Sequence, residues 1–367
     1  MKLKLPVALF LCACAQDSLI DDAAETDTDT TADVDTEAEI DTEADTEADT
    51  EETQTLSDYE RCFAHLTDQA PTDAPAPDYE QFDPIIASHC AGTNHQDIRD
   101  IERVVFIGDS VTVGTPPTET QDYYRTRLAH TLAGEFGLAT GWDHFAWENV
   151  DVFSGTTINR TSGDFASCAE WGARADDLMR DGDQLEDCFP TSERNKRTLV
   201  VMTVGGNDLN SLTQGFMEGK SDEELWEETQ EFMGLMRQSV EWLKDPERFP
   251  AGVDVIFSNL YEFTDGTGDV TSCPTAGLAG YGEAVSNPAL AEMVVWSMEQ
   301  YMSIAVDTQS DMLFLLETFC GHGFNRDNPE ARCYSPGNEL WFDLTCIHPN
   351  PAGHAAIADM FADVVAE

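Results

Sequence analysis

"VVFIGDSVTVG", Val104 to Gly114, drives a run of apolar β-formers into Gly108, Asp109 and Ser110. Unbroken apolar character predicts a strand buried on both faces, as in a parallel sheet covered by helices. A serine directly after such a strand is either part of an ordinary turn or a side chain presented at the sheet's edge. Working outward favours the second. "TLVVMTV" (198–204), "VDVIFSNL" (253–260) and "MLFLLETF" (312–319) repeat the pattern and predict three more strands.

Helical patterns separate them. Ser221 and Glu224 form a capping box ahead of "ELWEETQEFMGLMRQSVEWLK", with apolar residues at three- and four-residue steps. The Trp and Met residues there stand at core spacing. Asn287 precedes Pro288 and "ALAEMVVWSMEQYMSIAV", a cap with proline at the first helical position. "PAGHAAIADMFADVVAE" reads as a last helix. Alternating strands and helices of this length imply a three-layer α/β/α sandwich with a central parallel sheet. Such sheets bind ligands at the carboxyl ends of their strands, the rim on which Ser110 and Asn207 both fall.

Not all of the 367 residues fold into it. Asp17 to Glu52 holds 17 acidic residues, no Lys or Arg, and a near-repeat, "DTEADTEADTEE". It cannot bury enough apolar surface to offset the entropy of ordering, so residues 16–57 read as a disordered spacer. A neutral coil of about 40 residues spans roughly 35 Å, and repulsion lengthens it. The net charge is −52; removing the spacer and Lys2 and Lys4 leaves −37 on the rest. So acidic a chain lacks the positive footprint of a nucleic-acid binder and is repelled by anionic membrane surfaces.

Residues 1–15 read as an export signal, with Lys2 and Lys4 ahead of a short apolar run too brief to span a bilayer. Two cleavage readings fit. Ala13-Cys14-Ala15 is a small-x-small site that releases the chain, whereas Leu11-Cys12-Ala13-Cys14 resembles a bacterial lipobox that would leave Cys14 lipidated. The long hydrophilic spacer suits a tether and favours lipidation, which would be the only membrane attachment. Beyond the leader stand eight cysteines, an even number that implies four disulfides in an exported chain. Cys62–Cys90 and Cys168–Cys188 are plausible local pairs, and no spacing makes a zinc site. Residues 58–100 form a Pro- and Asp-rich arm expected to pack on the main domain.

Three motifs carry chemistry: "IGDSVT", "VGGNDLN" (204–210) and "CIHPNPAGH" (346–354). Each alone is weak, but their order on one α/β chain resembles the SGNH (GDSL-type) hydrolase family over residues 101–367, with details nearest its phospholipase B-like and acyloxyacyl-hydrolase-like branches. The resemblance implies that Ser110 is the nucleophile and His348 the base that takes its proton. It further implies an oxyanion hole made by the Ser110 N–H, a glycine N–H and the Asn207 amide. Gly172 in "CAEWGARADDL" is the glycine chosen, with Gly155 in "VFSGTT" second. Here the chain departs from the family, because the aspartate usual three residues before the histidine is Thr345. Asp343, five before, shares a face with it in an extended segment and is the candidate third member of a triad. The alternative is a Ser–His dyad oriented by a backbone carbonyl.

His322 and His354 are expected to make structural hydrogen bonds. Asp265 and Asp269, and Asp181, Asp183, Glu186 and Asp187, do not match a calcium loop and read as solvated turns. The implied protein is an exported, monomeric serine esterase or lipase acting on lipid or acylated-glycan esters, with no metal or cofactor. The rival is a tethered binding protein on a retired hydrolase fold, for which Thr345 speaks and the intact Ser110, Asn207 and His348 do not.

Overall fold

The computed structural model describes residues 56–67, 76–140, 149–158, 161–180, 183–276 and 287–367. The export signal, Cys14, Asp181 and nearly all of the acidic spacer lie outside the described residues. Among the described residues there are seven strands: β1 (Arg103–Gly108), β2 (Val150–Asp151), β3 (Thr156–Thr157), β4 (Phe165–Ser167), β5 (Thr198–Thr203), β6 (Val253–Ser258) and β7 (Asp311–Leu313). Five of them make one parallel sheet in the order β4-β1-β5-β6-β7, while β2 and β3 form a separate hairpin. Every residue of the five sheet strands is buried, as their continuous apolar runs require.

The helices are α1 (Asp58–Thr67), α2 (Ser110–Val113), α3 (Tyr124–Phe136), α4 (Gln184–Cys188), α5 (Gly206–Met217), α6 (Asp222–Leu243), α7 (Pro288–Thr308), α8 (Leu315–Phe319) and α9 (Pro351–Ala366). The caps of α6 and α7 are those expected: Ser221 and Glu224 close a capping box, and Asn287 accepts from the Ala289 N–H ahead of Pro288. Met233 and Met236 are buried, and Trp226 and Trp242 pack against the core.

One strand expectation needs correction, and one strand was not expected. The run 312–319 is not one strand. Only Asp311–Leu313 pairs with β6; the Phe314 N–H turns away to Ala91 O, and the Leu316 N–H donates to the buried Asn259 side chain, starting α8. The strand not expected is β4, whose three residues carry no period.

The arm packs on the sheet. Gly92 bridges Leu313 antiparallel, and the Thr93 N–H donates to Met312 O, so the arm covers the open side of edge strand β7. The Tyr59, Phe63 and Tyr79 rings gather around Phe314. Four disulfides join the described residues: Cys62–Cys90, Cys168–Cys188, Cys273–Cys346 and Cys320–Cys333. The first two are the local pairs expected. Bridges of this number point to an oxidising, exported setting. No helix among the described residues is long and apolar enough to cross a membrane.

Candidate active site

Two strand-to-helix turns build the rim, and each needs a glycine. Gly108 sits at φ +122°, where a Cβ would lie 1.9 Å from Thr203 O. Gly205 sits at φ +118°, where one would lie 2.0 Å from the Tyr301 hydroxyl. Only glycine reaches this backbone region without steric cost. Gln184 clamps the first turn, accepting from the Gly108 N–H at 2.8 Å and donating to Gly108 O at 3.0 Å. This glutamine stands between Asp183 and Glu186, in the segment whose acidic residues read from the sequence as a solvated turn.

Ser110 is the first residue of α2, and Asp109 caps it, accepting from the Val111 N–H and from Thr203 Oγ1, each at 3.0 Å. Burial pushes the Asp109 carboxyl up to about 7. Among the described residues no acceptor takes the Ser110 N–H, as expected at a helix's first position. Asn207 is the second residue of α5, and its Nδ2 donates to Ala173 O at 2.8 Å, leaving the amide's second N–H.

His348 arrives from the loop before α9. Its Nε2 stands 2.9 Å from Ser110 Oγ. Behind the ring, Nδ1 stands 2.7 Å from Thr345 Oγ1, and that hydroxyl donates to Asp343 Oδ1 at 2.5 Å. A threonine hydroxyl has one proton. With that proton on Asp343, it must accept from the His348 Nδ1–H, which leaves Nε2 as the acceptor for Ser110. Asp343 therefore makes no side-chain bond to His348. The expected direct contact is corrected to one relayed by Thr345, and a backbone carbonyl does not orient the ring either.

Asp343 holds the loop in two further ways. Its side chain also accepts from the Thr345 N–H at 2.7 Å, and its N–H donates to His348 O at 2.9 Å. Cys346, at φ +74°, is bonded to Cys273, and the Tyr261 hydroxyl donates to Ile347 O at 2.7 Å. Burial pushes the His348 imidazole down to about 4 and the Asp343 carboxyl up to about 6, since each charged form loses water. At neutral pH His348 is thus uncharged and able to take a proton.

The two glycine candidates differ. The Gly155 N–H is spent inside the β2–β3 hairpin on Asp151 O at 2.8 Å, whereas the Gly172 N–H meets no acceptor among the described residues. Gly172 follows Trp171, which lines a cavity with Ser110, Asn207 and His348.

The residues set aside stay outside the site. His354 is buried between Tyr123 and Tyr124, with Nδ1 accepting from the Tyr124 N–H, and His322 stacks on Trp341. Asp265 is not in a solvated turn as expected. It is fully buried and accepts from the N–H groups of Gly321, Gly323 and Asn325. No cluster of three metal-ligating side chains exists among the described residues.

The sequence matches the family described as GDSL-like Lipase/Acylhydrolase over residues 104–361. No curated protein matches it. Among solved structures, the chain is similar to "BT4096 a gut microbial diltiazem-metabolizing enzyme", at 14% identity and TM-score 0.44 over 74% of this chain and 48% of that one. The chain thus spans about half of that enzyme's length. It is also similar to a member of the lipolytic protein G-D-S-L family from Veillonella parvula DSM 2008, at 10% identity and TM-score 0.36, over 71% of this chain and 96% of that one.

Proposed function

Since the chain belongs to the GDSL-like lipase/acylhydrolase family, whose members are ester-hydrolysing enzymes, we propose that it cleaves carboxylic esters through an acyl-serine formed on Ser110. The observation that carries this reading is the 2.9 Å contact between Ser110 Oγ and His348 Nε2.

Ser110 Oγ attacks the ester carbonyl carbon as His348 Nε2 takes the hydroxyl proton. Charge on the carbonyl oxygen is met by the Ser110 and Gly172 N–H groups and by Asn207 Nδ2. The unspent N–H groups of Ser110 and Gly172 support this choice over Gly155. The imidazolium then gives its proton to the leaving alcohol oxygen as the carbon–oxygen bond breaks. A water loses a proton to His348, attacks the acyl carbon and frees the carboxylic acid, and Ser110 regains its proton. Asp343 acts at one remove, its charge reaching the imidazolium through Thr345.

The hydrolase domain in this reading is residues 101–367, with 58–100 as an arm that covers the sheet edge. Residues 1–15 direct export, Cys14 carries the lipid, and 16–57 tether a monomer to the cell envelope. The four disulfides support an exported setting. The substrate is a lipid or an acylated glycan ester. Hydrolysis of p-nitrophenyl acetate by the oxidised chain lacking residues 1–57 tests the reading. Activity should vanish in Ser110→Ala. Equal rates in both, or none in a folded wild type, would return the chain to the binding-protein reading.

A further inference from the structure

Two cavities meet at Ser110, and they are unequal. One holds about 30 Å³ and is walled by Val111, Val204, Leu260, Tyr261, Leu315 and Ile347, all buried. The other holds about 170 Å³ and runs past Thr115, Pro116, Trp171 and Thr345. Pro116 is exposed, and Trp171 and Thr345 are half-buried, so this lobe opens to solvent. Ser110, Asn207 and His348 border both lobes.

From this asymmetry, and resting on the reading of Ser110 as nucleophile, we infer that the enzyme is selective for short acyl groups, acetyl or propionyl, carried on a much bulkier alcohol. The alcohol must depart while the acyl group stays bonded to Ser110, and water must then reach the same carbon. Both movements need room beside the acyl carbon, which the larger lobe has and the smaller lacks. The acyl group therefore takes the small lobe, whose mostly apolar walls suit a hydrocarbon tail. At roughly 10–15 Å³ for each water-sized group, about 30 Å³ takes two or three such groups. An acetyl methyl or a propionyl ethyl fits, and the nine carbons beyond a decanoyl carbonyl do not. On the other side the Trp171 ring is fixed by its Nε1–H bond to Gly114 O at 2.9 Å, a flat wall for a ring-bearing alcohol.

The small lobe is also held at its size. Leu315 opens α8, whose Leu316 N–H donates to Asn259 Oδ1. Asn259 Nδ2 in turn donates to Glu317 Oε2 and the Tyr79 hydroxyl, so the arm buttresses the lobe from behind. Widening it therefore takes substitution of a wall residue.

The test is kcat/KM on p-nitrophenyl acetate, butyrate and decanoate at one detergent concentration, with wild type, Ser110→Ala, Leu315→Ala and Leu260→Ala. One methylene in a fitted pocket is worth about 10–200-fold. Acetate should exceed decanoate at least about 100-fold in wild type, and Leu315→Ala or Leu260→Ala should raise the butyrate-to-acetate ratio about ten-fold or more. A flat or rising series with Ser110-dependent activity overturns the acyl assignment while sparing the esterase reading. So does an unchanged ratio in both folded variants. Intact-mass labelling by p-nitrophenyl methylphosphonate and decylphosphonate esters reads the same lobe without turnover and without a core variant, the methyl reagent reacting faster. Absence of both hydrolysis and labelling overturns the esterase reading and this inference together.

Discussion

Replacing Thr345 by valine keeps the volume of the side chain and removes one oxygen. That oxygen donates to Asp343 and stands 2.7 Å from His348 Nδ1. In the variant the Nδ1–H faces a methyl group, and Asp343 keeps only the Thr345-position N–H, its Oδ2 being already without a partner. The ground state loses a neutral hydrogen bond, but the transition state loses more, because the imidazolium is forming there. A hydrogen bond to a charged group is worth about 1.5–3 kcal/mol, or roughly 10–150-fold in kcat. This is below the ~10⁴-fold seen when a direct triad carboxylate is replaced, because the charge here lies one bond further away. Initial rates on p-nitrophenyl acetate from about pH 3 to 9 give the measurement, with melting temperature to check folding. Thr345→Ser, which keeps the hydroxyl, should return to within a few-fold of wild type. The hydroxyl favours the charged ring, so the acid limb in kcat/KM should move to lower pH in the valine variant. A valine variant within two-fold of wild type, or a serine variant as impaired as the valine, would refute the relay.

Asn207→Ala should cost about 10²–10³ in kcat with little change in KM, and an equal loss in both would argue for a positioning role alone. Cys273→Ser with Cys346→Ser should lower kcat more than losing Cys320–Cys333 does, since only the former bridge lies in the His348 loop; steady-state kinetics on both double variants decides. The buried carboxyls of Asp109, Asp208 and Asp265 are raised to about 7, 8 and 7. Folded values above the unfolded ones mean a contribution complete below about pH 4 and lost as pH rises through the folded value. The buried imidazoles of His348 and His354, lowered to about 4 and 3, work oppositely, but their contribution is complete once pH exceeds about 6.5. The melting temperature should therefore fall between pH 6.5 and 8, and Asp208→Asn should flatten the decline; a rise across that window would contradict it. Gly108→Ala should fail to give soluble folded protein, because its Cβ meets Thr203 O, and a soluble active variant would show that the turn tolerates another path.

The long, wholly buried strands β1, β5 and β6 were legible because continuous apolar runs are their direct physical signature, and Ser110 and Asn207 were legible because each follows one. His348 was found from the order of motifs. Thr345 was not, because a search for an orienting acid passes over a hydroxyl, whose part depends on which neighbours take and give its proton. The β4 strand is three residues, too short to show a period. The split between β7 and α8 depends on the Ala91 carbonyl and the Asn259 side chain, both far off in sequence. The pairing of Cys273 with Cys346 spans 73 residues, a closure that spacing does not reveal.

The covering of β7 by the arm has a consequence for how the chain comes together. Thr93 precedes every strand of the sheet, yet its partner Met312 stands 219 residues later. A segment ahead of the whole sheet pairs with its last strand in sequence, and β1, β4, β5 and β6 come between them along the chain. Contacts of such separation form late and slow the search for the native state. No N-terminal portion of this chain can close its sheet on its own, so the polypeptide stays open until β7 is available. For a chain exported unfolded, as proposed above, nothing is lost by waiting.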